Sequence, residues 1–126
     1  MSLSEEHPTD TEALALLCAS AAYEKLARDP VVLDVGDIMG IVGAFVIVSG
    51  TNVVQVAAIA EEIEEQVRAF ADLSPKAVEG LRDRSWILID YGDVVVHVFL
   101  DETREFYNLE RLWSDAPRIA WEPAAS

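Results

Sequence analysis

Two rhythms of apolar and polar positions run along the chain, and they mark out its elements. From Thr11 to about Arg28, Leu14, Leu17, Ala21 and Leu26 recur at helical spacing, with Thr11 or Asp10 as the cap. Asp29-Pro30 is expected to end this helix, because the residue before a proline is pushed out of the α region. Val31-Val32-Leu33-Asp34-Val35 then predicts a short β-branched strand. Gly36, Gly40 and Gly43 punctuate a flexible connection to Ala44-Phe45-Val46-Ile47-Val48, a strand apolar throughout and so expected to be covered on both faces.

Ser49-Gly50-Thr51-Asn52 turns into the clearest periodic stretch, a helix over about 53–70 with Thr51 or Asn52 as cap. Val56, Ile59, Ala60, Ile63, Val67 and Phe70 form its stripe, and Glu61, Glu62, Glu64 and Glu65 fall mostly off it, as a solvated face would. Ser74-Pro75-Lys76 and Glu79-Gly80 mark a loop. Trp86 to Asp90 and Val94 to Phe99 predict a hairpin around Tyr91-Gly92. In its second arm Val94, Val96 and Val98 share one face, and Val95, His97 and Phe99 the other. Phe106 to Trp113 predicts a short helix, stopped by Asp115-Ala116-Pro117. Helix, two strands, helix, two strands and short helix make one α+β domain, a mixed β-sheet flanked by helices over residues 11–117. Residues 1–10 read as a loose acidic tail and 118–126 as a C-terminal tail.

Composition narrows the functions open to such a domain. Of 126 residues, 52% are apolar, which excludes disorder over the whole length. No apolar run approaches the ~20 residues that span a bilayer. The polar, acidic start lacks the basic and apolar regions of a signal peptide, so a cytoplasmic location is expected. Nine Lys and Arg face 23 Asp and Glu, a net charge of −14. That balance disfavours a direct grip on nucleic acid or on an anionic membrane. It suits electrostatic steering onto a basic partner, although solubility alone also accounts for it.

Few residues carry candidate chemistry. Cys18 is the single cysteine and lies in an apolar helical context, where it reads as a small buried hydrophobe. A nucleophilic thiol needs a base, and the chain offers only His7 and His97. Asp90 and Asp93 flank a turn and are candidates for metal ligands or an acid/base pair, but no third ligand stands nearby and aspartate is ordinary turn chemistry. Ser49-Gly50 ahead of a helix has the form of an anion nest, yet no glycine repeat completes it, and no Lys or Arg follows before Arg68. Mid-strand His97 reads as a half-buried histidine bonded to a neighbour; as a catalytic base it has no visible partner other than Asp90 or Asp93 on the adjoining turn. Trp86, Tyr91, Tyr107 and Trp113 gather in the C-terminal half. An exposed Tyr91 beside acids is what an interface anchor looks like.

Ordered blocks of this sequence are similar to the ribosomal silencing factor family, also called Iojap-like or RsfS, from about Ala22 to Pro117. The blocks are Val32-Leu33-Asp34-Val35, Phe45 to Gly50, Gln55-Val56 with Ala58-Ile59-Ala60, Glu79-Gly80, and above all Trp86 onward, with Asp90 to Phe99 followed by Tyr107 to Trp113. The resemblance implies a fold like that of nucleotidyltransferases without their catalytic acids; no cofactor and no metal are expected. It implies binding to large-subunit ribosomal protein number fourteen, a block on subunit joining, repression of translation, and a homodimer in the free state. The expected partner-binding residues are Trp86, Asp90, Tyr91, Asp93 and His97, with the carboxylates pairing to Lys or Arg of a basic ribosomal protein. A large-subunit assembly factor and a nucleotide-binding enzyme are the alternatives. Two departures from the family pattern stand out: Gly43-Ala44 where Asp-Tyr or Asp-Cys is common, and Val54 where an Arg is common.

Overall fold

The computed structural model describes residues 7–122, with side chains from Thr11 onward. The elements are α1 (His7–Glu24), β1 (Arg28–Asp34), α2 (Gly36–Met39), β2 (Ala44–Gly50), α3 (Val53–Ala71), β3 (Ala77–Glu79), β4 (Trp86–Asp90), β5 (Val94–Leu100), α4 (Asp101–Tyr107), α5 (Leu109–Leu112) and β6 (Arg118–Ile119). The strands form one mixed sheet in the order β3-β4-β5-β2-β1-β6. β2 and β5 run parallel at its centre, and every other pair is antiparallel. The result is the expected α+β domain.

The alternation expected for β5 sorts its residues between two cores. Val94, Val96 and Val98 join Ile87, Ile89, Val46 and Val48 beneath α1 and α3. Val95 and Phe99 join Leu33, Phe45, Ile47 and Leu109 on the opposite face, toward α5. β2 is buried at every position, as a strand covered on both sides must be. α1 lies over β1 and β2, and α3 over β5 and β4.

Several boundaries differ from the sequence expectation. α1 already runs from His7, so residues 7–10 are not tail; proline at the second position is tolerated because a first-turn N–H has no helical acceptor to lose. The helix also stops at Glu24, ahead of the proline. Leu26 takes a left-handed conformation, φ 62°. The Ala27 N–H then bonds the Ala22 carbonyl at 3.1 Å and the Leu26 N–H bonds Tyr23 at 2.9 Å, which is a Schellman closure. Leu26 is accordingly 76% exposed and leaves the expected stripe. The glycine-punctuated connection contains α2, capped by left-handed Gly40. The 74–80 loop contains β3, and Arg118–Ile119 pairs with β1 instead of trailing off as tail. The predicted 106–113 helix is two short helices, because Asn108 turns left-handed and caps the second through Arg111 N.

α3 follows its periodicity closely. The Asn52 side chain accepts from Gln55 N at 2.9 Å, which selects it over Thr51 as the cap. Val56, Ile59, Ala60, Ile63 and Val67 are buried; Phe70, in the last turn of the helix, is 76% exposed and leaves the expected stripe.

A half-covered aromatic face as the candidate functional site

Parity along β4 builds the site. Ile87 and Ile89 point into the helix-covered core, so Trp86, Leu88 and Asp90 point to the other face. Cross-strand neighbours share a face, which adds His97 beside Leu88, Val95 beside Asp90, Phe99 beside Trp86, and Glu79 beside Leu88 from β3. α4 packs on β5 and β2, and Leu109 of α5 joins the core on this face, while the β3–β4 side carries less cover. Leu33 and Ile47 are therefore buried, whereas Trp86, Leu88 and Trp113 stay half-buried. Tyr107, Phe106 and Leu112 stand exposed along the covering helices.

The aromatic rings interlock. Trp86 lies 4.7 Å from Phe99 and 4.8 Å from Tyr107 between ring centroids. Phe45 makes edge contacts with His97 at 4.9 Å and with Trp113 at 5.5 Å. The Trp86 indole Nε1–H donates to His97 Nδ1 at 3.2 Å, so the sequence reading of His97 as a histidine bonded to a neighbour holds. Burial lowers the imidazole pKa to about 4, which keeps the ring neutral. The face is apolar at its centre, with Asp90 and Glu79 at its open side.

Of the five residues expected to bind a partner, Trp86, Asp90 and His97 share this face; Tyr91 and Asp93 do not. The hairpin loop is Gly92-Asp93, closed by Tyr91 N–H to Val94 O at 2.9 Å, with Gly92 at φ 92° as a glycine-first two-residue turn asks. Tyr91 thus belongs to the strand register rather than the turn tip. It follows Ile87 and Ile89 into the helix-side core and is 8% exposed, so the exposed-anchor expectation fails for it. Burial first, then Cys18 and Glu64, raises its hydroxyl pKa. Asp93 is exposed at the sheet's end, its carbonyl accepting from Gly43 N and Ala44 N. Asp90 performs turn chemistry as well, its Oδ1 accepting from Gly92 N at 2.7 Å.

The other candidate chemistry resolves into structure. Burial pushes the Cys18 thiol up to about 12, and Cys18 lies in the helix-side core whereas His97 belongs to the opposite face of the sheet. Among the described residues no three His, Cys, Asp or Glu side chains gather as a metal would need. The Ser49-Gly50 turn is filled by the chain's own groups. Gln55 Oε1 accepts from Thr51 N at 2.7 Å, and its Nε2 donates to the carbonyls of Lys25 and Leu26, sealing the end of α1. Ser49 Oγ accepts from Arg104. Arg104 also bonds the Arg28 and Asp29 carbonyls and Glu110 Oε2, tying α4 and α5 to the irregular start of β1. Sequence reasoning passed over Arg104 because its acceptors lie up to 76 residues away.

The departures from the family pattern also have a place. A Cβ on Gly43 would meet Thr11 Cγ2 at 2.9 Å, so the first turns of α1 use the space a larger residue would need. Val54 is exposed on the first turn of α3.

An α+β sheet with one face sealed by helices and the other half open and aromatic defines the class. No helix among the described residues is long and apolar enough to cross a membrane. Residues 8–126 match the family described as "Ribosomal silencing factor during starvation". The ribosomal silencing factor RsfS of Bacillus subtilis is 43% identical over 101 residues, covering 80% of this chain and 85% of that one. A crystal structure from Bacillus halodurans superposes with a TM-score of 0.75 at 37% identity, covering 86% of this chain and 98% of that one. The mouse protein named "Mitochondrial assembly of ribosomal large subunit protein 1" is 33% identical over 100 residues, 78% of this chain and 44% of that one. The chain belongs to the ribosomal silencing factor family.

Proposed function

We propose that this protein docks on the large ribosomal subunit through the half-covered aromatic face, with large-subunit ribosomal protein number fourteen as its partner, and so blocks joining of the subunits and represses translation in the cytoplasm. The observation that carries this reading is the less covered half of the sheet, where Trp86 and Leu88 stay half-buried while Leu33 and Ile47 are fully buried. An apolar aromatic centre supplies contact energy, as binding hot spots do. Asp90 and Glu79 at the edge, on a chain of net charge −14, orient a basic surface and speed its capture. Tyr91 takes no part in contact. In the absence of ribosomes the protein forms a homodimer.

Co-sedimentation with isolated large subunits at two salt concentrations tests the reading. Wild-type protein pellets with the subunit, less so at high salt, and Trp86→Ala stays in the supernatant. Failure of the wild type to co-sediment at low salt, or undiminished binding by Trp86→Ala, overturns it. The name of the mouse relative favours a second reading, action during large-subunit assembly. In that case the protein migrates with immature particles in a gradient and leaves subunit joining unaffected.

A further inference from the structure

Trp86 and His97 are hydrogen-bonded to each other within the proposed docking face, and of the two only Trp86 reaches its surface. His97 is 6% exposed, whereas Trp86 is half-buried. A neutral imidazole that accepts the indole N–H at Nδ1 carries its own proton on Nε2. That Nε2 is buried and has no hydrogen-bond partner among the described residues. The ring is packed against Phe45 at 4.9 Å and lies parallel to Phe99 at 6.1 Å. A phenyl ring would fill such a space without stranding an N–H group. Packing alone therefore does not account for histidine here. What imidazole adds is an acceptor aimed at Trp86.

The indole needs that acceptor. Phe99 and Tyr107 restrict it to a slot, but two rotatable bonds leave more than one way for a flat ring to lie between neighbours. The bond to Nδ1 selects one.

We propose that His97 is a positioning residue that never touches the partner: it holds the Trp86 indole in the single orientation that matches the basic ribosomal surface. This rests on the docking reading above. His97 spends stability on an orphaned N–H group and gains a pre-set aromatic anchor, which lowers the ordering cost of binding.

The test compares three variants of the full chain with wild type. Melting temperature, the indole N–H resonance of Trp86 and co-sedimentation with large subunits are read for each. His97→Phe is expected to melt at or above the wild-type temperature, to shift the Trp86 resonance to that of an unbonded indole, and to bind up to about tenfold more weakly, the cost of ordering one freed side chain. His97→Asn places an amide oxygen near the position of Nδ1. It is expected to melt lower, because the smaller side chain leaves a cavity, while keeping the indole bond and binding within about threefold of wild type. A purely structural role predicts the reverse, with binding following stability in both. His97→Phe that binds like wild type overturns the proposal. If His97→Phe does not fold, His97→Asn decides alone: binding lost with the indole bond intact overturns it. Trp86→Ala separates the two levels. Its failure to bind, beside a fully active His97→Phe, leaves the docking face standing without the positioning role; its normal binding removes the face itself.

Discussion

Replacing Arg104 with alanine is expected to lower the melting temperature by about 12 °C. The guanidinium donates to the Arg28 carbonyl at 2.9 Å, the Asp29 carbonyl at 2.7 Å, Ser49 Oγ at 3.1 Å and Glu110 Oε2 at 2.8 Å. Its side chain is 11% exposed, so water replaces these bonds poorly in the folded state. Asp29 holds φ 45° in the irregular stretch of β1 that these carbonyls belong to, and the arginine is what pins it. Breaking a buried ion pair costs about 3–5 kcal/mol. The lower end applies because the Glu110 side chain is 22% exposed and partly rehydrates. For a chain of this size each kcal/mol moves the midpoint by roughly 4 °C, giving the stated shift for about 3 kcal/mol. Arg104→Lys should recover less than half of it, since an ammonium cannot reach four acceptors spread across a planar fork. Thermal unfolding followed by circular dichroism measures both. An Arg104→Ala midpoint within about 4 °C of wild type would refute the reasoning, because it would mean less than 1 kcal/mol for the whole set of bonds.

Four further outcomes are expected. Leu26→Gly should raise stability by about 1 kcal/mol in urea unfolding, since an exposed side chain is lost and the left-handed turn is relieved. Gly80→Ala should prevent folding or cost several kcal/mol, because an added Cβ would sit against the Trp86 carbonyl and φ is 91°; soluble yield and far-ultraviolet dichroism report it. Tyr91→Phe should leave stability unchanged or slightly higher and ribosome co-sedimentation unaltered, since the hydroxyl is buried without a partner among the described residues. His97 has a folded pKa of about 4 against an ordinary 6.5, so the unfolded chain takes up a proton between these values that the folded chain refuses. Stability should therefore fall by roughly 3 kcal/mol as pH drops through that window. The difference between wild type and His97→Phe in urea unfolding from pH 7 to pH 4 isolates the effect, and a flat difference contradicts it.

Local pattern was enough for the elements whose neighbours are local. Asn52 and the stripe from Val56 to Val67 fixed α3, and the alternation from Val94 to Phe99 fixed both faces of β5. The misreadings concern positions decided by distant groups or by backbone handedness. Leu26 ends α1 in a left-handed conformation that no sequence rule assigns to leucine, and Gln55 supports that end across 29 residues. Tyr91 was assigned to the turn because the loop was placed one residue early; a shift of one carries a side chain through the sheet. Of the site, Trp86, Asp90 and His97 were legible as residue types near a hairpin. The openness of their face was not, since it depends on where α4 and α5 come to rest.

The parallel pairing of β2 with β5 also sets an order of events during synthesis. It joins residues fifty apart in the chain, beginning with Ala44 and Val94. Chains emerge at roughly 5–20 residues per second, so β2 waits on the order of seconds for its neighbour. During that interval a strand destined to be covered on both faces has only β1 beside it. A nascent chain halted before Val94 cannot assemble the centre of its sheet, and the half-covered aromatic face, built on β4 and β5, comes into being only after β5 has emerged.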